Sequence, residues 1–469
     1  MIRRRILFYS LAALLGGCTL APKYQRPPAP VSQSWPRDSA TNAVGASTAA
    51  DLDWRDFFAD PRLQRLISIA LENNRDLRVA ALRMEQAQAQ YRIQRSELFP
   101  GFQGNASALR QKTSGTVSAF NNGTILTTYQ VDVGAAYEVD LFGRVRSLKK
   151  EALEKYLATD EARKSAQISL IAAVASQYLT LLQLQEAKAV AGRTLETVQA
   201  AFNLNKRSFE AGAASELDLR TAEAQVQAVL VNSATYGQLL AQAENAMTLL
   251  LGRSMPADLP SGPALRDQHL LTDLPPGLPS STLQRRPDIM AAEHTLMAAN
   301  ADIGAARAAF FPRILLTGSA GTASAKLSDL FSGPSETWNF SPQITIPIFD
   351  IGSTRARLDV SKISARIEVA NYEKAIQTAF REVSDALTAR SLLDEKLRAQ
   401  ELLLEAQQKR FDLTNARYRQ GVDNYVVVLL AQQDLYAAQQ NLLQFQAARL
   451  LNAITLYRSL GGGWKPATN

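Results

Sequence analysis

Cysteine is almost missing from this chain. Of 469 residues only Cys18 carries a thiol, so a disulfide, a cysteine zinc cluster and a cysteine nucleophile in a folded core are all excluded. Histidine is nearly as scarce. His269 sits in a proline-rich stretch and His294 in a helical one, which reads as two surface side chains rather than a ligand pair. After residues 1–17 no apolar run approaches ~20 residues, so no transmembrane helix is expected. The net charge of +7 is spread without a basic block, which argues against nucleic acid as a partner. A P-loop, a nucleophile elbow, HExxH and GxGxxG are lacking too. The sequence therefore offers no catalytic constellation, no cofactor site and no metal site.

Proline and glycine are withheld from two long stretches. No proline lies between Pro100 and Pro256 or between Pro347 and Pro466, and Val145 to Phe209 holds a single glycine, Gly192. An interior proline costs about 3 kcal/mol in a helix. The spacing predicts one helix from Val145 to Phe209, about 97 Å long, a break at Gly212, and a returning helix from Ser215 to Leu251. Later in the chain the same reading gives a helix from Ser353 to Gln420, a break at Gly421, and a helix to Leu460. Helices of such length need coiled-coil packing. Seam positions follow 3-4 spacing at Ile171, Val174, Tyr178 and Leu181, at Leu195, Val198 and Phe202, and at Val428, Ala431, Leu435, Ala438, Leu442 and Phe445.

The chain is written twice, with a period of about 210 residues, too long for a solenoid unit. Leu98-Phe99-Pro100 returns as Phe310-Phe311-Pro312. The Phe142-Gly143 pair returns around Phe349 and Gly352, and the stretch ending at Gly212 returns as the one ending at Gly421. The expected organisation is a signal peptide over 1–17 and an N-terminal tether over 18–60. A first repeat then covers 61–255, a Pro-rich connector 256–281, a second repeat 282–460 and a tail 461–469.

Before each long helix the period changes to two. Tyr129, Val131, Val133, Ala135, Tyr137, Val139 and Leu141 alternate with Gln130, Asp132, Gly134, Ala136, Glu138 and Asp140, giving one apolar and one polar face. Trp338, Phe340, Ile344, Ile346 and Ile348 alternate in the second repeat, and weaker partner strands precede at Gly101 to Lys112 and Arg313 to Ala325. The acidic side chains Asp132, Glu138 and Asp140 read as the solvated lining of a polar face. The strand length fits membrane barrel strands of about ten residues. Four strands cannot close a barrel, and open edges in hydrocarbon leave backbone groups unpaired at several kcal/mol each. Insertion in a membrane would therefore require several copies.

Cys18 sits in an informative context. Arg3 to Arg5 are basic, Ile6 to Leu15 are apolar, and Gly16 and Gly17 are small. That order is the layout of an export signal. Leu15-Gly16-Gly17-Cys18 also resembles the lipobox of bacterial lipoproteins, which implies cleavage before Cys18 and its acylation. Thr19 rather than Asp after it points to the outer membrane.

Taken together, the chain resembles the TolC-like outer-membrane efflux proteins, in their lipoprotein OprM/NodT branch. The residues that carry the likeness are Cys18 with Pro22-Lys23-Tyr24, then Trp54, Phe57 and Asp60, then Ala81 to Pro100 and Tyr137 to Arg144. Leu249 to Gly252, Arg285-Arg286-Pro287-Asp288-Ile289, Phe311-Pro312, and Tyr418, Gly421 and Asp423 complete them. The resemblance implies a mixed, mainly α fold with internal duplication. Its long coiled-coil helices would form an α-helical barrel in the periplasm, and four β-strands per protomer would enter a shared 12-stranded trimeric β-barrel. It implies a homotrimer in outer-membrane lipid, docked on a periplasmic adaptor (membrane fusion) protein and an inner-membrane pump of the resistance-nodulation-division type. The implied function is a duct for drugs or other toxic small molecules, with no enzyme activity. A duct for type I protein secretion and a lipid-anchored periplasmic coiled-coil scaffold remain alternatives, and the alternating strands speak against the scaffold.

Gly212 and Gly421 suit breaks that need a positive φ, and Ser215 or Asp218, and Asp423, suit the starts of the returning helices. From the resemblance, Gly212, Ser215, Asp218, Gly421 and Asp423 are expected at the periplasmic tips, where the adaptor binds. Arg417 and Tyr418, with Glu216, Asp218 and Asp423 nearby, are expected to latch the aperture through charge-assisted bonds. Relatives often carry acidic residues beyond the second tip, whereas Val426, Val427 and Leu430 stand here. An apolar gate that excludes water is the expectation.

Overall fold

The structure, a computed structural model, describes residues 19–32, 35, 52–114, 116, 124–270 and 280–464. The signal-peptide and lipidation readings, Cys18 included, lie outside the described residues, as do parts of the tether, the connector and the tail. The elements in chain order are α1 (Trp54–Phe57), α2 (Pro61–Asn73), α3 (Arg75–Ser96), β1 (Gly101–Thr113), β2 (Thr124–Val139), α4 (Arg144–Glu210), α5 (Glu216–Leu251), α6 (Pro287–Ala308), β3 (Arg313–Ser324), β4 (Glu336–Thr345), α7 (Ile351–Arg419) and α8 (Tyr425–Ser459). The four long helices end within two residues of their expected bounds. Strand β2 starts five residues before Tyr129, and β4 stops at Thr345, short of Ile348. The chain divides into two compact units, one of 1–28, 83–160 and 291–373 and one of 29–82, 161–290 and 374–469. Each takes segments from both sequence repeats.

The first unit holds the sheet. Its order is β1-β2-β3-β4 and every neighbour is antiparallel. The register keeps one polar face throughout: Asn105 opposes Asp132, Asp132 opposes Gly321, and Ser319 opposes Asn339. The other face carries Phe102, Val131, Val133, Trp338, Phe340 and Ile344, all exposed, with Trp338 at 79%. A sheet covering a soluble core would hide that face. Nothing among the described residues covers it, and β1 and β4 are unpaired along their outer edges.

The polar face does not end as expected. Glu138 accepts two bonds from Arg144, at 2.7 and 2.8 Å, and one from Arg313 at 2.7 Å. Asp140 accepts from the backbone N–H groups of Val145 and Arg146, at 3.1 and 2.9 Å, and so serves the orphan donors at the start of α4. These two carboxylates are fasteners at the root of the sheet, not solvated lining; Asp132 alone stays on the open strand face, hydrogen-bonded to Asn105 and Gln130. Phe142 stacks on Phe311 at 4.5 Å, whereas its repeat counterpart Phe349 is fully exposed. His294 is not a free surface residue either. Its Nδ1 lies 2.8 Å from Glu154, and its side chain is 21% exposed; His269 is exposed as expected. Residues 20–26, within the expected tether, are fastened to α6 by hydrogen bonds.

The second unit packs the helical hairpins. Helix α2 starts on the Asp60 N-cap with Pro61 at its first turn and buries Leu63, Leu66, Ile67 and Ala70 on one stripe. Each large side chain of that stripe contributes about 1.5–3 kcal/mol. Asp60 also accepts the Tyr178 hydroxyl at 2.7 Å and the Gln268 amide at 2.9 Å. Phe57 stacks on Tyr457 at 4.0 Å, and Trp35 on Phe380 at 4.6 Å. Arg286 is the hub of the Arg-Pro-Asp motif. It grips Asp288, Glu382 at 3.0 Å and the Ser459 carbonyl at 2.6 Å. The seam residues Ile171, Val174, Tyr178 and Leu181 are buried. One stretch of α4 is apolar enough to cross a membrane by length and composition, contrary to the sequence expectation, but half of it is buried inside the chain. On α8 the seam holds at Val428, Ala431, Leu435 and Ala438, then shifts to Leu443, Ala447 and Leu450, leaving Leu442 and Phe445 half-buried. A 3.6-residue helix drifts from a 3.5-residue pattern by ~20° per heptad, so a long seam must slip.

Candidate functional site

The two helix breaks are the same turn built twice. After α4, Gly212 has φ of +75°; its N–H donates to Phe209 at 2.9 Å and the Ala213 N–H to Ser208 at 2.8 Å. After α7, Gly421 has φ of +74°; its N–H donates to Tyr418 at 2.9 Å and the Val422 N–H to Arg417 at 3.0 Å. Both are Schellman turns, in which the left-handed residue satisfies the last carbonyls of the helix. The returning helices are capped differently. Ser215 and Asp218 form a reciprocal capping box on α5. On α8 the cap is Asn424, whose Oδ1 accepts from Val427 N–H at 3.3 Å. Asp423, expected as that cap, turns back instead.

Asp423 accepts two bonds from Arg417, at 2.7 and 2.9 Å. This fork holds the Asp423 carboxyl below its ordinary value of 3.8 and raises the Arg417 guanidinium further. The other acidic residues of the expected cluster go elsewhere: Asp218 stays on Ser215, and Glu216 lies 3.5 Å from Arg220. Tyr418 meets Tyr425 at 5.7 Å between ring centres. Burial and the charge of Asp218 raise the Tyr418 hydroxyl, while burial pushes the Tyr425 hydroxyl up to about 12. Both phenols therefore stay protonated at neutral pH.

A small core ties the two hairpins together near these turns. Ala222 of α5 packs with Tyr425, Val428 and Leu429 of α8, and with Phe202, Phe411 and Tyr418. Further along, Gln433 bonds Gln225 at 2.9 Å and Tyr236 bonds Gln440 at 2.8 Å. Val426, Val427 and Leu430 point away from this core, at 38%, 37% and 49% exposure. They make an apolar face on the first two turns of α8 that no other described residue covers. Leu217 and Val422, beside the two turns, are exposed at 73% and 59%. Sequence reasoning missed these two, and missed Tyr425 as the residue that seats Tyr418. The helical period starting at Asn424 was the available signal for Tyr425, since it places Tyr425, Val428 and Leu429 on one side and Val426, Val427 and Leu430 on the other. The arrangement ties Asp423 to Arg417 across the second turn and presents apolar side chains beside it.

An antiparallel sheet with a bare aromatic face and open edges, carried by a chain of duplicated long-helix hairpins, defines the class of membrane-embedded channel protomers. A family profile described as outer membrane efflux protein matches residues 66–253 and 278–462. The chain is 48% identical over 460 residues to the probable efflux pump outer membrane protein TtgC of Pseudomonas putida, covering 97% of this chain and 95% of that one. It is 43% identical over 456 residues to the outer membrane protein OprJ of Pseudomonas aeruginosa, with coverage of 97% and 95%. The open-state structure of the MtrE outer membrane channel of Neisseria gonorrhoeae superposes with a TM-score of 0.86 at 40% identity, covering 96% of this chain and 99% of that one. The chain belongs to the outer membrane efflux protein family. It is a TolC-like channel of the outer membrane and the outer-membrane component of an efflux pump. The family is one of transporters rather than enzymes.

Proposed function

We propose that three copies of this chain form one duct, with twelve strands closing a single barrel in the outer membrane and the helices forming its periplasmic tunnel. The observation that carries this reading is the four-stranded sheet whose apolar face is exposed and whose two edges are unpaired. In hydrocarbon each free edge group costs several kcal/mol, so the edges must meet those of further copies. In this reading 61–255 and 282–460 are the two structural repeats, 18–60 leads from the membrane, and the acyl groups sit on Cys18. A periplasmic adaptor docks at the turns around Gly212, Ser215, Asp218, Gly421 and Asp423. A pump of the resistance-nodulation-division type supplies the energy, and the chain itself performs no bond chemistry. Relatives are named for antibiotic, solvent and toluene efflux, which supports small toxic organic compounds as the cargo here.

At the tip, the Arg417–Asp423 fork and the Tyr418–Tyr425 contact hold the second turn in its closed geometry, and Val426, Val427 and Leu430 from three copies line a constriction that sheds water. The test is complementation. A strain lacking its own outer-membrane efflux channel, supplied with this chain and its adaptor and pump, should regain tolerance to solvents and hydrophobic antibiotics. Unchanged susceptibility despite normal export of the channel would refute the cargo assignment.

A further inference from the structure

Residues 20–26 are held on α6 by a ladder of polar contacts at equal spacing. Arg307 Nη1 donates to the Leu20 carbonyl at 3.0 Å, and Asn300 Nδ2 to the Pro22 carbonyl at 2.9 Å. Glu293 accepts from the Tyr24 hydroxyl at 3.0 Å and from Arg26 at 2.6 and 2.7 Å. The anchors 293, 300 and 307 are seven residues apart, two helical turns each, so they share one face of α6. From 307 to 293 the helix falls about 21 Å. Six residues of extended chain span about 20 Å. The strap and the helix are matched in length from Leu20 to Arg26, with side-chain reach taking up the difference at the inner rungs.

Two further features hold the register. The Glu293 side chain is only 6% exposed, and with Arg26 removed it would keep just the Tyr24 bond. Where Ala21 crosses the helix stands Gly304, and a Cβ there would lie 2.7 Å from the Ala21 Cβ and 2.7 Å from Ser147 Oγ. The crossing is possible only because that position has no side chain. Leu20 is thereby fixed beside Arg307, less than two turns before Arg313, the first residue of β3.

We propose that residues 20–26 act as a gauge that sets where the N-terminal attachment point meets the membrane, at the root of β3, independently of the lipid. This rests on the reading of Cys18 as the acylated residue. Two residues of chain before Leu20 reach no more than ~7 Å. A coil free up to Trp35, which is stacked on Phe380, would instead wander over roughly 23 Å. Pinning thus shrinks the volume searched by the anchor about 35-fold, the cube of that ratio. The acyl chains then enter the leaflet beside the barrel wall, where the strands begin, instead of sweeping the surface around it.

The experiment uses the exported full chain with Cys18→Ser and a signal that is still cleaved. Nitroxides are placed at Thr19→Cys and Phe310→Cys, with labelled chains diluted among unlabelled ones, and the distance distribution between them is read by dipolar spin resonance. One narrow distance is expected without any lipid present. Arg26→Ala, on an exposed arm of the ladder, and Gly304→Ala, at the crossing, should each widen the distribution at least twofold while detergent-stable oligomers persist. A distribution already broad in the parent, or one unchanged by both substitutions, overturns the gauge. Mass spectrometry of the mature chain with Cys18 intact tests the other reading separately: an unmodified Cys18 removes the lipid, while the spin-resonance result still decides whether the strap is pinned.

Discussion

Replacing Gly421 by alanine isolates what the second turn contributes to closure. A Cβ built at Gly421 meets nothing within 4 Å, so the substitution adds no steric clash and only opposes the φ of +74°. The left-handed conformation costs an L-residue about 1–2 kcal/mol. Leaving it would undo the bonds from Gly421 and Val422 to the Tyr418 and Arg417 carbonyls, and would carry Asp423 away from Arg417. If all the strain is released on opening, the open population rises about 5- to 30-fold. Asparagine tolerates the conformation better and should give a smaller rise than alanine. Gly212 supplies the control. It has φ of +75° and equally open surroundings, so Gly212→Ala stores the same strain, yet its turn has no fork of Arg417–Asp423 type. Single-channel recording in planar bilayers gives the open probability of each variant. Equal opening by Gly212→Ala and Gly421→Ala would refute the claim that the second turn holds the latch, and stronger opening by Asn than by Ala would refute the conformational argument.

The other expectations concern charge, packing and the gate. Because the Asp423 carboxyl is held below 3.8, the fork is fully formed above that value and is lost as pH falls through the lowered one. Leak conductance should therefore be flat from roughly pH 8 to 5 and rise only in stronger acid, and a midpoint near 6.5 would point to a histidine instead. Removing Arg286 takes the shared guanidinium from Asp288 and Glu382, whose side chains keep 41% and 27% exposure. Arg286→Met should cost about 1–3 kcal/mol, the loss of charge-assisted bonds to partly hydrated carboxylates and a carbonyl, read from the urea midpoint of purified protein, and Arg286→Lys should not restore it, since a point charge cannot keep all three partners. Val427→Asp or Leu430→Asp should shift reversal potentials toward cation selectivity relative to the parent. Strong cation selectivity in the parent that persists after Asp218→Asn and Asp423→Asn would contradict the apolar gate.

The sequence carried the long-range plan because that plan depends on local rules. Proline-free stretches gave the four long helices, positive-φ glycines gave their ends, and period-two alternation gave a sheet whose register keeps Asp132 and Asn339 on one face. What stayed hidden were partners set by tertiary approach. Alternation placed Glu138 on the polar face but could not reveal Arg313, 175 residues later, or the turn that brings Arg144 back to it. Asp423 and Asn424 are both good caps by type, and only the built turn shows that Asp423 leaves that role to its neighbour for Arg417. Pro, Ser, Thr and Ala composition reads as an extended tether; its fastening stays hidden because two rungs end on backbone carbonyls and the others need Glu293, 267 residues or more away.

Cross-linking the open sheet edges shows whether further copies close them. In a Cys18→Ser background, single cysteines replace Gln103, Asn105 or Ser107 on β1 together with Asn339, Ser341 or Gln343 on β4. All six are exposed and lie on the polar face. At least one pairing should oxidise between chains in native membranes, and the resulting ladder on denaturing gels should stop at three. A ladder that stops at two or runs past three, or no cross-link at any pairing in an exported and folded channel, would contradict closure by three copies.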